Sequence, residues 1–391
     1  MSPDGRDTPR VLVVHNRYRM RGGEERSVED LVRLLRERGH AVDLLERRSD
    51  QLAGVSGKMR GGTGILGGGL APGEVKSAVR ELGAEIVHAH NTVPLLGPRA
   101  LEAAHEAGAA VVLHLHNYRL FCAIGIAYRD SQPCTRCHGR WTWPGARLRC
   151  RGGTAESFTY AAGLALQQRR VLDAVDRFIV PSRGAERVLG EFGLPAGRAE
   201  IIPHFLPASA FADRSSAQEG KYALFTGRLT EEKGADTVIE AAKQAGVPLA
   251  IAGEGPDELR LRRLAAGGRG TQIRFLGRLG GADLAKARAG AAFALAPSRW
   301  HEPHPYAVAE SMAAGLPVLA SRMGGLPELV GPGSTLPPTD VGAWAEAMRD
   351  LWRSPDQRRH YGEAALARAH ARFDEGRYYG RLIACYRRLL S

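Results

Sequence analysis

Two carboxylates, Glu302 and Glu310, stand with seven residues between them in the stretch Pro297–Val330, where one apolar run ends and another begins. The first run, Ala291-Ala292-Phe293-Ala294-Leu295, is short and stops before Pro297, which predicts a buried parallel strand. Glu302 then falls in a loop, Pro305 can take the first position of a helix, and Gly315 can end it. Leu316–Ala320 predicts a second buried strand, and Gly324-Gly325 a turn into another helix. Such a unit brings unpaired backbone N–H groups and the positive end of a helix to the C-terminal edge of a sheet, an arrangement that binds phosphate. Both carboxylates would repel a phosphate at short range. They suit hydroxyls on either side of it, as on a ribose and a sugar. The ordinary alternative is a helix carrying two solvated glutamates. Apolar neighbours on both sides, AAFALAPS and SMAAGLPVLA, argue against a solvated face.

Three further groups could take part. Arg228 and Lys233 sit on the turn Thr226–Gly234 between a strand and a helix, where two cations can converge on a diphosphate. A surface salt bridge is the plainer role for such residues. His114 and His116 alternate along the end of one strand, so their side chains share a side. Gly22-Gly23, followed by Glu24, lets the backbone approach a ligand with no Cβ in the way, though a flexible turn would look the same.

The elements that must position these residues alternate between strand and helix. Val11–Val14 predicts a first strand, Arg26–Arg38 a helix stopped by Gly39, and Ala41–Leu45 a second strand, without a G-x-G-x-x-G turn. Arg21 opens the loop that carries Gly22-Gly23. Residues 52–74 hold nine glycines without a clear period and read as a mobile loop or irregular helices facing a cleft. Glu85–His88, Ala109–Leu115 and Phe178–Val180 predict further strands, with helices at Pro98–Ala107 and Ala155–Ala174. Pro207–Lys221 is the best linker candidate. The pattern then restarts with strands at Tyr222–Phe225, Leu249–Ala252 and Ile273–Leu276 and a helix at Ala235–Ala245. After Val330 come helices at Trp344–Trp352, Gln357–Arg372 and Arg377–Leu390. The last has an apolar stripe of Tyr379, Leu382, Ile383, Tyr386 and Leu390.

A chain of 391 residues suits two domains of ordinary size. With 44% hydrophobic and 25% charged residues it can bury full cores. No run of 18 apolar residues occurs and the first residues lack an apolar signal core, so a cytoplasmic protein without a spanning helix is expected. The net charge of +12, from 54 basic and 42 acidic residues, raises nucleic-acid binding as a rival. No basic run interleaved with aromatics and no helix-turn-helix or zinc-finger pattern supports it, so no nucleic-acid partner is expected. Anionic small substrates or an acidic lipid surface suit the same charge.

The stretch Pro297-Ser298, Glu302, seven residues, Glu310 and then Ser-Met-Ala-Ala-Gly-Leu-Pro-Val resembles the donor-site signature of retaining family 4 glycosyltransferases of the GT-B fold. The resemblance runs from about Val11 to Val330. It includes Gly227-Arg228-Leu229 with Glu232-Lys233-Gly234, His116, and the hinge-like Ile201–Phe205, where His204 replaces the usual Asn. Pro303-His304-Pro305-Tyr306 replaces the usual Phe-Gly pair, and Asn117 the commoner Asp. What the resemblance implies is an α/β protein of two Rossmann-like domains facing across a cleft. Residues 1–205 would be the acceptor domain and 206–375 the nucleotide-sugar domain, with the helix 376–391 crossing back onto the first. A basic amphipathic helix on a membrane surface is the alternative for that last segment.

The resemblance assigns catalysis to His116, Arg228, Lys233 and Glu302, and donor binding to Gly22, Gly23, Arg228, Lys233, Glu302, His304, Pro305, Tyr306 and Glu310. Glu24, His114 and Asn117 would meet the acceptor. The expected reaction moves a sugar from a nucleotide-diphosphate sugar, UDP favoured and GDP possible, to a hydroxyl of a natural product or cell-surface glycan, with retention. No Asp-x-Asp occurs, so no catalytic metal or other catalytic cofactor is expected. No carboxylate pair is obviously placed for double displacement, which favours front-face attack; the resemblance implies that the donor phosphate accepts the proton. A sugar phosphorylase or epimerase on the same fold competes with this reading, as does a basic nucleic-acid- or lipid-binding protein with a vestigial site.

Four of the five cysteines, Cys122, Cys134, Cys137 and Cys150, fall within 29 positions in a polar segment. Eleven residues precede the Cys-x-x-Cys pair and twelve follow it, which allows a structural Zn²⁺ held by four thiolates, with His138 as a substitute ligand. Four reduced, unbound thiols would have the same spacing. Cys385 reads as a small apolar residue in a helix.

Overall fold

The structure, a computed structural model, describes residues 8–18, 22–52, 54–267, 270–331 and 333–391; Arg21 lies outside these. Short apolar runs bounded by turn residues form two parallel six-stranded sheets. The first takes β1 (Val11–Arg17), β2 (Val42–Arg48), β3 (Ile86–Ala89) and β4 (Ala110–His114). A small antiparallel hairpin, β5 (Tyr128–Arg129) and β6 (Gln132–Pro133), interrupts it before β7 (Arg177–Val180) and β8 (Ala199–Ile201). The order across this sheet is β2-β1-β3-β4-β7-β8.

The second sheet comprises β9 (Ala223–Thr226), β10 (Leu249–Ala252), β11 (Ile273–Gly277), β12 (Phe293–Ala296), β13 (Val318–Ser321) and β14 (Thr335–Leu336). Its order is β11-β10-β9-β12-β13-β14. In both sheets the order reverses beside the first strand of the unit, and loops at such switch points carry ligand sites. These are two Rossmann-like α/β units, with buried strands and apolar helix faces as the core of each.

The helix Glu375–Leu390 leaves the second unit and packs on the first. Its Tyr378, Leu382, Ile383, Cys385 and Tyr386 join a cluster with Val11, Val13, Leu31 and Ile179. Its buried face thus includes Tyr378 and Cys385, while Leu390 is exposed at its end. That face is covered by protein. Among the described residues no helix is long and apolar enough to cross a membrane.

Three segments sharpen or correct the sequence expectation. Of the two readings of residues 52–74 the helical one holds: they contain the helix Gly54–Gly67 and the start of the helix Pro72–Leu82. A Cβ at Gly64 would lie 2.5 Å from the Pro94 carbonyl oxygen, so this glycine lets the helix close against a neighbouring backbone. The stretch 207–221 is tied down: Arg358 donates to the carbonyls of Ala217 and Gln218, and Ser215 to that of Gly315. The cysteine segment is less polar in effect than in composition, since Phe121, Ala127 and Tyr128 belong to the first core.

Candidate functional site

The second unit builds one wall of the site from the loops after β9 and β12. Gly234 has φ +69° and a Cβ there would meet the Pro297 carbonyl oxygen at 2.1 Å, so only glycine lets the two loops touch. Arg299 reinforces the contact, its N–H donating to the Glu232 carbonyl at 2.8 Å and its guanidinium to Asp236 at 2.8 Å. Lys233 is thereby held against Glu302: its Nζ donates to Oε1 at 2.5 Å, and Ser298 Oγ donates to the same oxygen at 2.7 Å. Lys233 also lies over the Trp300 ring, 5.2 Å from its centroid. Glu302 is 4% exposed, so the solvated-face alternative fails for this residue.

Arg228 behaves otherwise. Its side chain is 57% exposed, with Glu232 Oε1 at 3.7 Å. The structure thus brings Lys233 and Glu302 together and leaves Arg228 at the rim in the surface ion pair that its spacing also allowed.

The helix Tyr306–Ala313 starts after Pro305, which is its N-cap and not its first residue, with no side-chain cap on the first turn. Its uncapped N–H groups and dipole form a positive end beside Glu302. Glu310, one turn further, is held by two guanidinium groups, Arg288 of the same unit and Arg26 of the first, one on each carboxylate oxygen. Tyr306 lies beneath Arg26 (4.8 Å to the ring centroid) and beside His204 (4.9 Å between ring centroids). A Cβ at Gly23 would come within 3.1 Å of the Tyr306 ring, so Gly23 marks close approach of the two units. His304 is buried between His204 and Phe373, and burial holds its pKa well below the ordinary value.

The first unit supplies the facing wall. An open cavity lies at the ends of β3 and β4, lined by Glu24, His90, His114, His116, Asn117 and apolar residues including Leu113 and Leu115. The helices Gly54–Gly67 and Thr154–Ala174 close its far side. Asn117 Nδ2 donates to Glu24 Oε2 at 3.1 Å and to the Tyr18 hydroxyl at 3.2 Å. Burial, then the neighbouring Glu25, raise the Glu24 carboxyl to a pKa of about 8, against the opposing charge of Arg119. Glu24 is therefore a neutral acid at neutral pH.

Beneath this cavity lies an array that sequence reading missed. Val13 pairs with His88 and His88 with Val112, so the register continues to align His15, His90 and His114 across β1, β3 and β4. His88 and His116 extend the array along their strands. His204 joins from the segment between the units, its ring centroid 5.2 Å from that of His116. His90 Nδ1 lies 2.8 Å from His116 Nε2, and His88 Nδ1 is bonded to the Tyr386 hydroxyl. Burial lowers the pKa of each: His15 to about 4, His88 and His204 to about 3, and His90, His114 and His116 well below the ordinary value. They are neutral rings. Period-2 alternation within β3 was the one available signal for His88 and His90; the pairing between strands was not readable from spacing.

The two walls touch at fixed points. Tyr118 donates to the His301 carbonyl at 2.7 Å, and Ser182 Oγ to that of Pro303 at 2.6 Å. The Gly325 N–H donates to the Glu302 carbonyl at 2.7 Å. The Glu302 loop is thus held from both units.

Comparison with known proteins agrees with this architecture. The model described as Glycosyltransferase Family 4 matches residues 21–209, and that described as Glycosyl transferases group 1 matches residues 209–368. The chain is 28% identical over 314 residues to D-inositol 3-phosphate glycosyltransferases of Mycobacterium tuberculosis and Mycobacterium bovis, covering 74% of this chain and 64% of theirs. It therefore spans less than two thirds of the length of those relatives. Among solved structures it is similar to sucrose-phosphate synthase from Thermosynechococcus elongatus (TM-score 0.71, 19% identity, 98% of this chain and 99% of that one). It is also similar to Anabaena HepE in complex with UDP and glucose (TM-score 0.67, 16% identity, 96% and 99%). Two adjoining family matches, on a pair of Rossmann-like units that face each other as in GT-B enzymes, place the chain in family 4 of the glycosyltransferases, group 1.

Proposed function

We propose that this protein transfers a glycosyl group, with retention, from a nucleotide-diphosphate sugar to a hydroxyl acceptor. The observation that carries the reading is the buried Lys233–Glu302 pair beside the uncapped start of the helix Tyr306–Ala313, whose Tyr306 stacks on His204 and through it reaches His116 at the edge of the first-unit cleft. Breaking the bond between sugar and diphosphate places negative charge on the leaving group. Lys233, the helix start and Arg228, swung in from the rim, meet that charge. Glu302 accepts hydrogen bonds from sugar hydroxyls and Glu310 from the ribose. His116, neutral and at the cavity edge, contacts the sugar from the other side. Gly22 and Gly23 bring the backbone of the first helix to the donor phosphate.

The acceptor occupies the first-unit cavity, where Glu24, His114 and Asn117 meet its hydroxyl and the apolar lining takes an apolar body. That lining favours a natural-product aglycone or a lipid-borne glycan over a free sugar. HepE, solved with UDP and glucose, lends support to a UDP-sugar donor. The test is calorimetric titration with UDP- and GDP-sugars, followed by product analysis with a panel of hydroxylated aglycones. Binding of one donor and an NMR-assigned product with the donor's anomeric configuration is expected. Nucleotide release that needs inorganic phosphate would point to a phosphorylase instead. Absence of any nucleotide-sugar binding would sink the reading.

A further inference from the structure

The segment between β4 and the helix Thr154–Ala174 contains little regular structure: the β5–β6 hairpin and the short helix Trp143–Arg147. Its four cysteines stand at the joints of these pieces. Cys122 precedes the hairpin, Cys134 and Cys137 follow it, and Cys150 follows the helix. All four are free thiols, partly buried, and all four line one small cavity. The backbone of Ile124, Gly125 and Ala127 borders the Cys122 sulfur, and Arg129 lies beside Cys150. Trp141 and Trp143 are exposed, so the segment spends part of its own apolar surface on solvent.

We propose that Cys122, Cys134, Cys137 and Cys150 bind one zinc ion as four thiolates, a structural site that anchors the hairpin against the second unit. Binding releases four thiol protons and leaves no coordination position for water or substrate. The sets of three ligand atoms within 4.8 Å of one another, among the described residues, are His88, His90, His114 and His114, His116, His204, and no cysteine belongs to either. Zinc–sulfur bonds of about 2.3 Å therefore draw the sulfurs inward as the site closes. The histidine sets are the weaker candidates. They share His114, and they offer a buried dication only neutral imidazoles, with no anionic ligand to offset its charge. Thiolates supply that charge and are the softer ligands. The site's consequence lies across the cleft: Ser131, on the turn of the hairpin, donates to Glu231, which opens the turn that ends in Lys233.

Elemental analysis of the full chain, purified without chelator, tests the proposal without reference to any activity. About one zinc per chain is expected, with thiols that react with a disulfide reagent only as a colorimetric chelator withdraws the metal. Cys134→Ser with Cys137→Ser should lose the zinc, and His114→Gln should keep it. Because the double variant can fail to fold, the chelator titration of the unaltered chain stands as the second measurement: four thiols should appear per zinc released. Less than about 0.2 zinc per chain with four thiols freely titratable overturns the proposal. So does zinc that survives the cysteine changes but is lost in His114→Gln.

Discussion

Arg26, on the first helix of the chain, and Glu310, on the helix after the Glu302 loop, form an ion pair that joins the two units directly. Arg288 holds the other carboxylate oxygen, so a ribose diol can reach Glu310 only by sharing or displacing a guanidinium. On the proposed function the two glutamates should act differently. Glu310→Gln should weaken binding of the free nucleotide by about 10- to 100-fold, the loss of a hydrogen bond to a charged group. Glu302→Gln should weaken the intact donor more than the free diphosphate. Calorimetry with both ligands checks this, and equal losses for both variants on the free nucleotide would refute the division.

Lys233 and Arg228 should both act on the leaving group, from different resting positions. An aimed donor at developing negative charge contributes about 3–4 kcal/mol in the transition state, so Lys233→Ala should lower kcat by several hundred-fold. Arg228, exposed and paired with Glu232, must leave that partner to act. Arg228→Ala should also lower kcat by hundreds-fold with a smaller change in KM. A loss of no more than a few-fold would leave it as the surface pair seen at rest.

Stability should fall on mild acidification, because eight histidines have pKa values lowered by burial. Each is neutral when folded and takes a proton near pH 6.5 when unfolded, so its contribution is present above about pH 6.5 and lost below it. Each pKa unit of lowering corresponds to about 1.4 kcal/mol. The charged neighbours do not reverse the sign: Glu25 raises His15 but Arg17 opposes it, Arg26 lowers His204, and Arg372 lowers His304. Glu24 acts the other way, stabilising most at low pH and losing its contribution as pH rises through about 8, but it is one group against eight. Urea midpoints should decline modestly from about pH 7 to 8, where Glu24 alone titrates, and drop more steeply as pH falls from about 6.5 to 5. No drop in that window would refute the neutral array.

The same carboxyl should appear in kinetics. If Glu24 receives a hydrogen bond from the acceptor hydroxyl, kcat/KM for the acceptor should rise as pH passes about 8 and the group ionises. Glu24→Gln should abolish that inflection while keeping the contact with Asn117. An inflection unchanged in the variant would assign it to another group.

Much of this architecture is a property of neighbours along the chain. The strand at Phe293–Ala296, the helix after Pro305, the left-handed Gly315 beyond it and the strand at Val318–Ser321 follow from apolar runs and turn residues within a few positions of one another. That His114 and His116 share a side follows from the pleat, and that Glu302 is buried follows from its apolar flanks. The glycines of residues 54–67 could not be read in that way. Glycine is permissive in isolation, and only the nearby Pro94 backbone shows why a close-packed helix needs it there. Nor does spacing reveal that Arg26 and Arg288 converge on Glu310, because that pairing joins residues 284 and 22 positions apart through the docking of two units. The histidine array belongs to the same class. Strand register aligned His15, His90 and His114, and unit packing brought His204 and His304 against them, so their common burial, and with it their neutrality, arises only in the folded chain.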